Sequence, residues 1–308
     1  MTGRATVLGW KAGWGLVRRL PSGAAYRGFD VAADVLARRG GKSISRLRAN
    51  YAKVRPDLDD AGLDALVRAG MRSYLRYFCE AFRLPDRTTE ELDAMCRAVN
   101  DEGVRSSLAA GRSAVIFIAH MGNWDIAGAW STAHLAPVTT VVERLEPEAV
   151  FRDFFAFRKS LGMTILPLTG GPNPFSGLQA AVQRGDFVAL AADRDLTSNG
   201  LEVDFFGRRA RMAKGPALLA LLTGAPLYAA SIHYAPATAG RGAGGFETVV
   251  TFSDEMAVPE SGDTTDKVRV MTQACAAYLQ GAILEHTADW HMLQRVFVED
   301  LDPARLKV

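Results

Sequence analysis

Ala114-Val115-Ile116-Phe117-Ile118-Ala119-His120-Met121-Gly122-Asn123-Trp124-Asp125 is the stretch that decides how this chain is read. Its first six residues are an unbroken apolar run of the length and type that makes a buried strand. Gly122 and Asn123 punctuate the run, and the residues after them open a helix. His120 therefore falls at the carboxyl end of a sheet strand, the edge at which open α/β folds keep their chemistry. A free imidazole titrates near pH ~6.5, so a neutral base is available at pH 7. With a carboxylate beside it, such a base can take a proton from a hydroxyl. Asp125, in the first turn of the helix, could fix the tautomer of the ring; a carboxylate also simply suits a helix amino terminus.

Working outward, the grammar on either side of this stretch differs. Before it the pattern is helical, with segments at about 24–39, 43–54, 60–83 and 89–109. After it strands and helices alternate. Strands are expected at 113–119, 138–143, 163–168, 187–192, 201–206, 226–234 and 246–252, with helices at 124–135, 147–161, 175–184, 214–223 and 264–287. The reading is an α/β fold, a central mostly parallel sheet flanked by helices, with a helical amino-terminal section. We divide it into a basic section, residues 1–56, and an α/β domain over 57–308 that includes the helices of 60–109.

The charge supports that division. The 308 residues carry a net charge of only +2, which offers nothing to nucleic acid. Residues 1–55 nevertheless hold twelve Lys/Arg against Asp30 and Asp34, leaving 24 basic against 32 acidic residues for the remainder. A basic arm on an acidic body is expected of a protein that meets an anionic surface. Val7, Trp10, Trp14 and Val17 recur at helical spacing with Lys11, Arg18 and Arg19 between them. Paired Trp and flanking cations suit a membrane interface; packing of this helix on the body is the other reading. No apolar stretch approaches the roughly 20 residues that span a bilayer, and no signal peptide is evident. Cys79, Cys96 and Cys275 lie far apart in no zinc or disulfide pattern, which favours a reducing compartment.

Other motifs fail on context. Gly240-x-Gly242-x2-Gly245 matches a dinucleotide fingerprint as a string but lies between two strands, with no helix to follow. No Gly-x-Ser-x-Gly elbow exists. His286 and His291, five apart on a helix, have the wrong spacing for a shared metal face. Both are expected to be structural, and no metal is expected. Arg208, Arg209, Arg211 and Lys214 form a basic cluster that either binds phosphates or is a solvated turn.

The string His-Met-Gly-Asn-Trp-Asp resembles the His-x4-Asp/Glu motif of the glycerolipid acyltransferase superfamily, in the form carried by its lipid A late-acyltransferase branch. Further blocks agree in order: Val141-Val142-Glu143-Arg144, Phe151 and Phe155 before Arg158-x3-Gly162, Asp193-Arg194-Asp195, Phe205-Phe206-Gly207, Lys214-Gly215-Pro216 and Gly224-Ala225-Pro226. The likeness covers about residues 110–235, and Ala230 stands where the family usually has proline. Within the branch, the Trp/Arg-rich start and the Val-Glu-Arg-Leu and Ala-Asp-Arg-Asp-Leu-Thr strings are most similar to the mycobacterial-type phosphatidylinositol mannoside acyltransferases.

This resemblance implies an acyltransferase, peripheral at the cytoplasmic face of the membrane. Its partners would be a long-chain acyl-CoA such as palmitoyl-CoA, a phosphatidylinositol mannoside or related glycolipid acylated at a mannose 6-hydroxyl, and an anionic membrane surface. Acyl-CoA is a co-substrate, and no cofactor is implied. The resemblance makes His120 the base, Asp125 the motif carboxylate, and Glu143, Arg158, Asp193 and Arg194 polar residues of the site. Arg208, Arg209, Arg211 and Lys214 become candidates for the coenzyme A phosphates. Whether Asp125 or Asp193 pairs with His120 is open; the family places the pairing carboxylate where Asp193 stands. Backbone amides near Gly122, or Arg158, are candidate donors to an oxyanion. Two alternatives remain, a lipid A-type enzyme fed by acyl carrier protein and a non-enzymatic lipid-binding protein.

Overall fold

A computed structural model of the chain describes residues 13–301 apart from 145, 146, 196 and 198. Residues 13–19 are helical and lead into helices α1 (Ser22–Arg39), α2 (Lys42–Val54) and α3 (Asp60–Arg83). α3 begins where Asp59 accepts a hydrogen bond from the Gly62 amide, satisfying a donor that the helix leaves unpaired. Leu63, Val67 and Met71, at helical spacing, are buried. Gly70 lets α2 lie directly on α3: a Cβ there would sit 2.4 Å from the Tyr51 hydroxyl, and Tyr51 is fully buried. The basic section thus shares the main core, to which Leu47, Tyr51 and Val54 contribute.

The helix expected over 89–109 is three elements: α4 (Thr89–Met95), β1 (Cys96–Val99) and α5 (Glu102–Ala109). β1 pairs in parallel with β9 (Phe246–Phe252), Cys96 opposite Thr248. A partner so far along the chain leaves no trace in local periodicity, and pairing overrides propensity.

The remaining elements follow the expected alternation. They are β2 (Ala114–Ile118), α6 (Trp124–His134), β3 (Val138–Val142), α7 (Glu148–Ser160), β4 (Thr164–Pro167), α8 (Pro174–Gln183) and β5 (Phe187–Ala191). After β6 and β7 come α9 (Gly215–Thr223), β8 (Leu227–Pro236), β9 and α10 (Thr264–Glu285). The seven-stranded sheet runs β1-β9-β8-β2-β5-β3-β4. Every pairing is parallel except β8 with β9. β2 lies inside the sheet, and its Val115, Ile116 and Phe117 are wholly buried, as a doubly covered parallel strand requires.

A second strand, like β1, lies where the sequence offers no strand pattern. β6 (Leu201–Phe205) turns back into β7 (Arg208–Met212) as a separate antiparallel pair. Phe206 and Gly207 both take positive φ, 54° and 67°, the conformation of a tight two-residue hairpin turn. Three arginines had masked the strand as a basic turn.

Candidate active site

β2 and β5 run side by side with Ala114 opposite Phe187 and Ile118 opposite Ala191. Extending that register two residues past the ladder sets His120 beside Asp193. The imidazole Nδ1 lies 2.6 Å from Asp193 Oδ1, and the His120 amide donates to Oδ2 at 3.1 Å. Asp193 is fully buried, while the His120 side chain keeps 30% of its surface exposed. Burial alone would raise the carboxyl pKa. The His120 charge and the hydrogen bonds from His120 and Trp290 outweigh it, holding Asp193 below the ordinary aspartate value. Asp193 is therefore the carboxylate behind the histidine.

Each residue of the turn after His120 has a physical task. Met121 is wholly buried and bridges to Trp290. Gly122 has φ 58°, and a Cβ there would fall 2.4 Å from the Ile232 carbonyl oxygen, so only glycine fits. Asn123 caps α6, its Oδ1 accepting from the Ile126 amide at 3.0 Å and its Nδ2 donating to Glu80 at 2.8 Å. Trp124 lies against Tyr77 with ring centroids 4.3 Å apart and presents its edge near His120 at 6.1 Å.

Asp125 points elsewhere. Arg158 Nε and Nη2 donate to its two oxygens at 2.7 and 3.2 Å, and Tyr77 donates at 2.7 Å. Asp125 is 1% exposed. Burial works against the guanidinium's charge, but Asp125 restores it and carries the Arg158 pKa above its usual value. Asp125 and Arg158 thus tie α6 to α7 next to the dyad.

Of the other expected residues, Arg194 and Glu143 come together, Nη2 to Oε1 at 3.2 Å, at the carboxyl ends of β5 and β3. The basic cluster is dispersed by strand alternation, which turns Arg208 to the face opposite Arg209 and Arg211. Arg208 pairs with Glu299 at 2.9 Å, Arg209 with Glu202, and the buried Arg211 donates to the Gly200 carbonyl. Lys214 is exposed just before α9. The Gly122 amide, a candidate oxyanion donor, instead donates to the Asp289 carbonyl at 2.9 Å.

Trp10 and Lys11 lie outside the described residues. Trp14 faces the body: its indole donates to the Phe82 carbonyl at 3.1 Å and lies 5.0 Å from the Phe82 ring. Arg18 pairs with Asp86, and Arg19 is exposed.

The last helix is shorter than the 264–287 expected, because the chain turns back after it. α10 stops at Glu285, and residues 287–293 fold back as a strap across the His120 turn. His291 donates its amide to the His120 carbonyl at 2.8 Å, and Trp290 Nε1 donates to Asp193 Oδ2 at 2.9 Å. Ser73 joins Asp289 and His291 at 2.6 and 2.8 Å. Burial and the nearby His120 charge push the His291 pKa down to about 3, so it stays neutral. No spacing from position 120 announces these contacts. Among the described residues no cluster of three or more His, Cys, Asp or Glu could hold a metal.

A partly exposed histidine backed by a buried carboxylate, at the carboxyl edge of a parallel sheet, is an arrangement with the chemistry to activate a hydroxyl. A family model for bacterial lipid A biosynthesis acyltransferases matches residues 2–299. The chain belongs to that family, and it is an acyltransferase. It is 40% identical over 306 residues to the phosphatidylinositol mannoside acyltransferase of Mycolicibacterium smegmatis, covering 98% of this chain and 95% of that one. To the Mycobacterium tuberculosis protein of the same name it is 39% identical over 310 residues, covering 99% and 92%.

Proposed function

We propose that this enzyme moves a palmitoyl-type chain from its coenzyme A thioester to the mannose 6-hydroxyl of a phosphatidylinositol mannoside. The carrying observation is the Nδ1–Asp193 contact at 2.6 Å beneath a partly exposed imidazole. With Nδ1–H committed to the carboxylate, Nε2 is the free base. It takes the hydroxyl proton as the oxygen attacks the thioester carbonyl carbon. The C–O bond forms, the C–S bond breaks, and the imidazolium returns the proton to the departing thiolate. Asp193 stabilises the imidazolium, as the carboxylate does in a serine hydrolase triad, with the substrate hydroxyl in the serine's place. The acceptor is suggested by the mycobacterial relatives and their near full-length match.

Binding at the cytoplasmic face of an anionic membrane belongs to the same proposal. Among the described residues no helix is long and apolar enough to cross a membrane. Arg19, Arg27, Arg38, Arg39 and Lys42 are exposed beside the exposed Leu16, Val31 and Val35, which supports a peripheral, basic contact. Arg48 and Lys53 spend their charge internally, on Asp60 and Asp64 and on Asp300, which trims the excess seen in the sequence.

The test compares acyl-CoA with acyl-carrier-protein thioesters in the presence of a phosphatidylinositol mannoside. Faster transfer from coenzyme A is expected, and faster transfer from the carrier protein would reassign the donor. His120→Ala is expected to abolish transfer; a folded variant with full activity would remove the base.

A further inference from the structure

We propose that Trp290 is a positioning residue for acyl transfer, its indole N–H fixing the Asp193 carboxylate behind His120. The inference rests on the reading of His120 as base. Asp193 is fully buried, and a buried carboxylate is tolerated only where donors replace water. Among the described residues it receives three: the imidazole Nδ1–H on Oδ1, and the His120 amide and Trp290 Nε1–H on Oδ2. Two of these come from the base itself. Trp290 supplies the one that is independent of it, and so sets the plane of the carboxylate from outside the dyad.

The indole has no freedom to follow the carboxylate. Trp290 is wholly buried, with the Phe205 ring edge-on at 6.1 Å. Its carbonyl accepts from the Tyr51 hydroxyl at 3.0 Å, which anchors the strap to α2. On either side, the Asp289 carbonyl takes the Gly122 amide and the His291 amide reaches the His120 carbonyl. One short strap therefore grips both halves of the dyad, the histidine turn by its backbone and the carboxylate by a side chain.

The N–H also sets how strongly the carboxylate competes for the proton. A donor on Oδ2 drains charge from Asp193 and makes it a weaker base. The neutral imidazole, facing an uncompensated carboxylate, gains more from that donor than the imidazolium does. Removing it raises the proton affinity of the pair, so less of the enzyme carries a free base at neutral pH.

The test uses the full chain with Trp290→Phe. A second protein carries benzothienylalanine at 290, which keeps the bicyclic shape with sulfur in place of the N–H. The His120 ring is titrated by nitrogen NMR in the free enzyme, and kcat and KM are measured with palmitoyl-CoA and a phosphatidylinositol mannoside. The expected result is a midpoint raised by about half a unit or more. kcat near pH 7 should fall about ten- to a hundredfold with little change in KM for the donor. An unchanged midpoint in the shape-matched protein overturns the proposal, whatever happens to kcat, because a packing role alone would not move it. Full transfer by His120→Ala would instead remove the base and this role with it. Loss of transfer in His120→Ala beside wild-type kcat and midpoint in both Trp290 proteins would remove the role alone.

Discussion

Arg158 grips Asp125 through two bonds, Nε to Oδ1 at 2.7 Å and Nη2 to Oδ2 at 3.2 Å. The motif thereby divides its labour. Its histidine turns to a carboxylate just past the end of the neighbouring strand, while its aspartate closes an ion pair that staples the first turn of α6 to the end of α7. Tyr77 completes the group by donating to the same carboxylate.

Breaking that pair on one side leaves a buried charge without a partner. Asp125→Ala should cost about 3–5 kcal/mol in urea-induced unfolding, whereas replacing all three polar members, by Asp125→Leu, Arg158→Met and Tyr77→Phe together, should cost less. A mild Asp125→Ala would mean that the pair is dispensable to the fold.

Asp193, the carboxylate behind His120, should behave in the opposite way. Asp193→Asn can present an amide N–H to the ring, which turns Nδ1 into an acceptor and leaves the proton on Nε2, the atom we propose as base. kcat should fall by about three to four orders of magnitude, with KM for either substrate little altered. Equal losses in Asp125→Asn and Asp193→Asn would undo the distinction between the two aspartates.

The sequence carried the dyad further than it carried the fold's edges. β2 and β5 were legible because buried parallel strands are dense apolar runs, and both end in polar residues at the same edge. β1 was lost inside a helical pattern because its identity comes from pairing with Thr248 and its neighbours, not from its own residues. β7 was hidden by its arginines, two of which are exposed on a two-stranded hairpin, where polar residues carry no strand signal. The strap was invisible for another reason. Its contacts with His120, Gly122 and Asp193 use mostly backbone groups, which every residue possesses.

Gly122 gives the most local of the tests. Its positive φ and the Ile232 carbonyl oxygen 2.4 Å from where a Cβ would stand act together. Gly122→Ala must either move the turn away from β8 or strain it, and either displaces His120 relative to Asp193. The expected outcome is a loss of about 1–3 kcal/mol and a fall in kcat larger than that of any alanine placed at the unobstructed Gly28. Crystallography or NMR of a folded Gly122→Ala with an unmoved turn and full activity would contradict this.

Glu80 links the amino-terminal helices to the same turn and makes stability depend on pH. Its carboxylate accepts from Asn123 at 2.8 Å, from Tyr234 at 2.7 Å and from Tyr26 of α1 at 3.3 Å. Burial pushes its pKa up to about 7, although the hydrogen bonds from Tyr234 and Asn123 and the Arg76 charge pull the other way. In the unfolded chain the same group titrates near the ordinary glutamate value, about 4.3. Between those two pH values the folded protein holds a proton that the unfolded chain has released. The stability contributed by the protonated form is therefore complete below the unfolded pKa and is lost as pH rises through about 7. Glu80→Gln can keep all three contacts, with its oxygen facing Asn123 and Tyr234 and its amide donating to Tyr26, but cannot ionise. The variant should match the wild type near pH ~4 and exceed it by on the order of 3 kcal/mol near pH ~8 in urea unfolding. A gap between the two proteins that stays constant across that range would show that Glu80 does not change its protonation on folding.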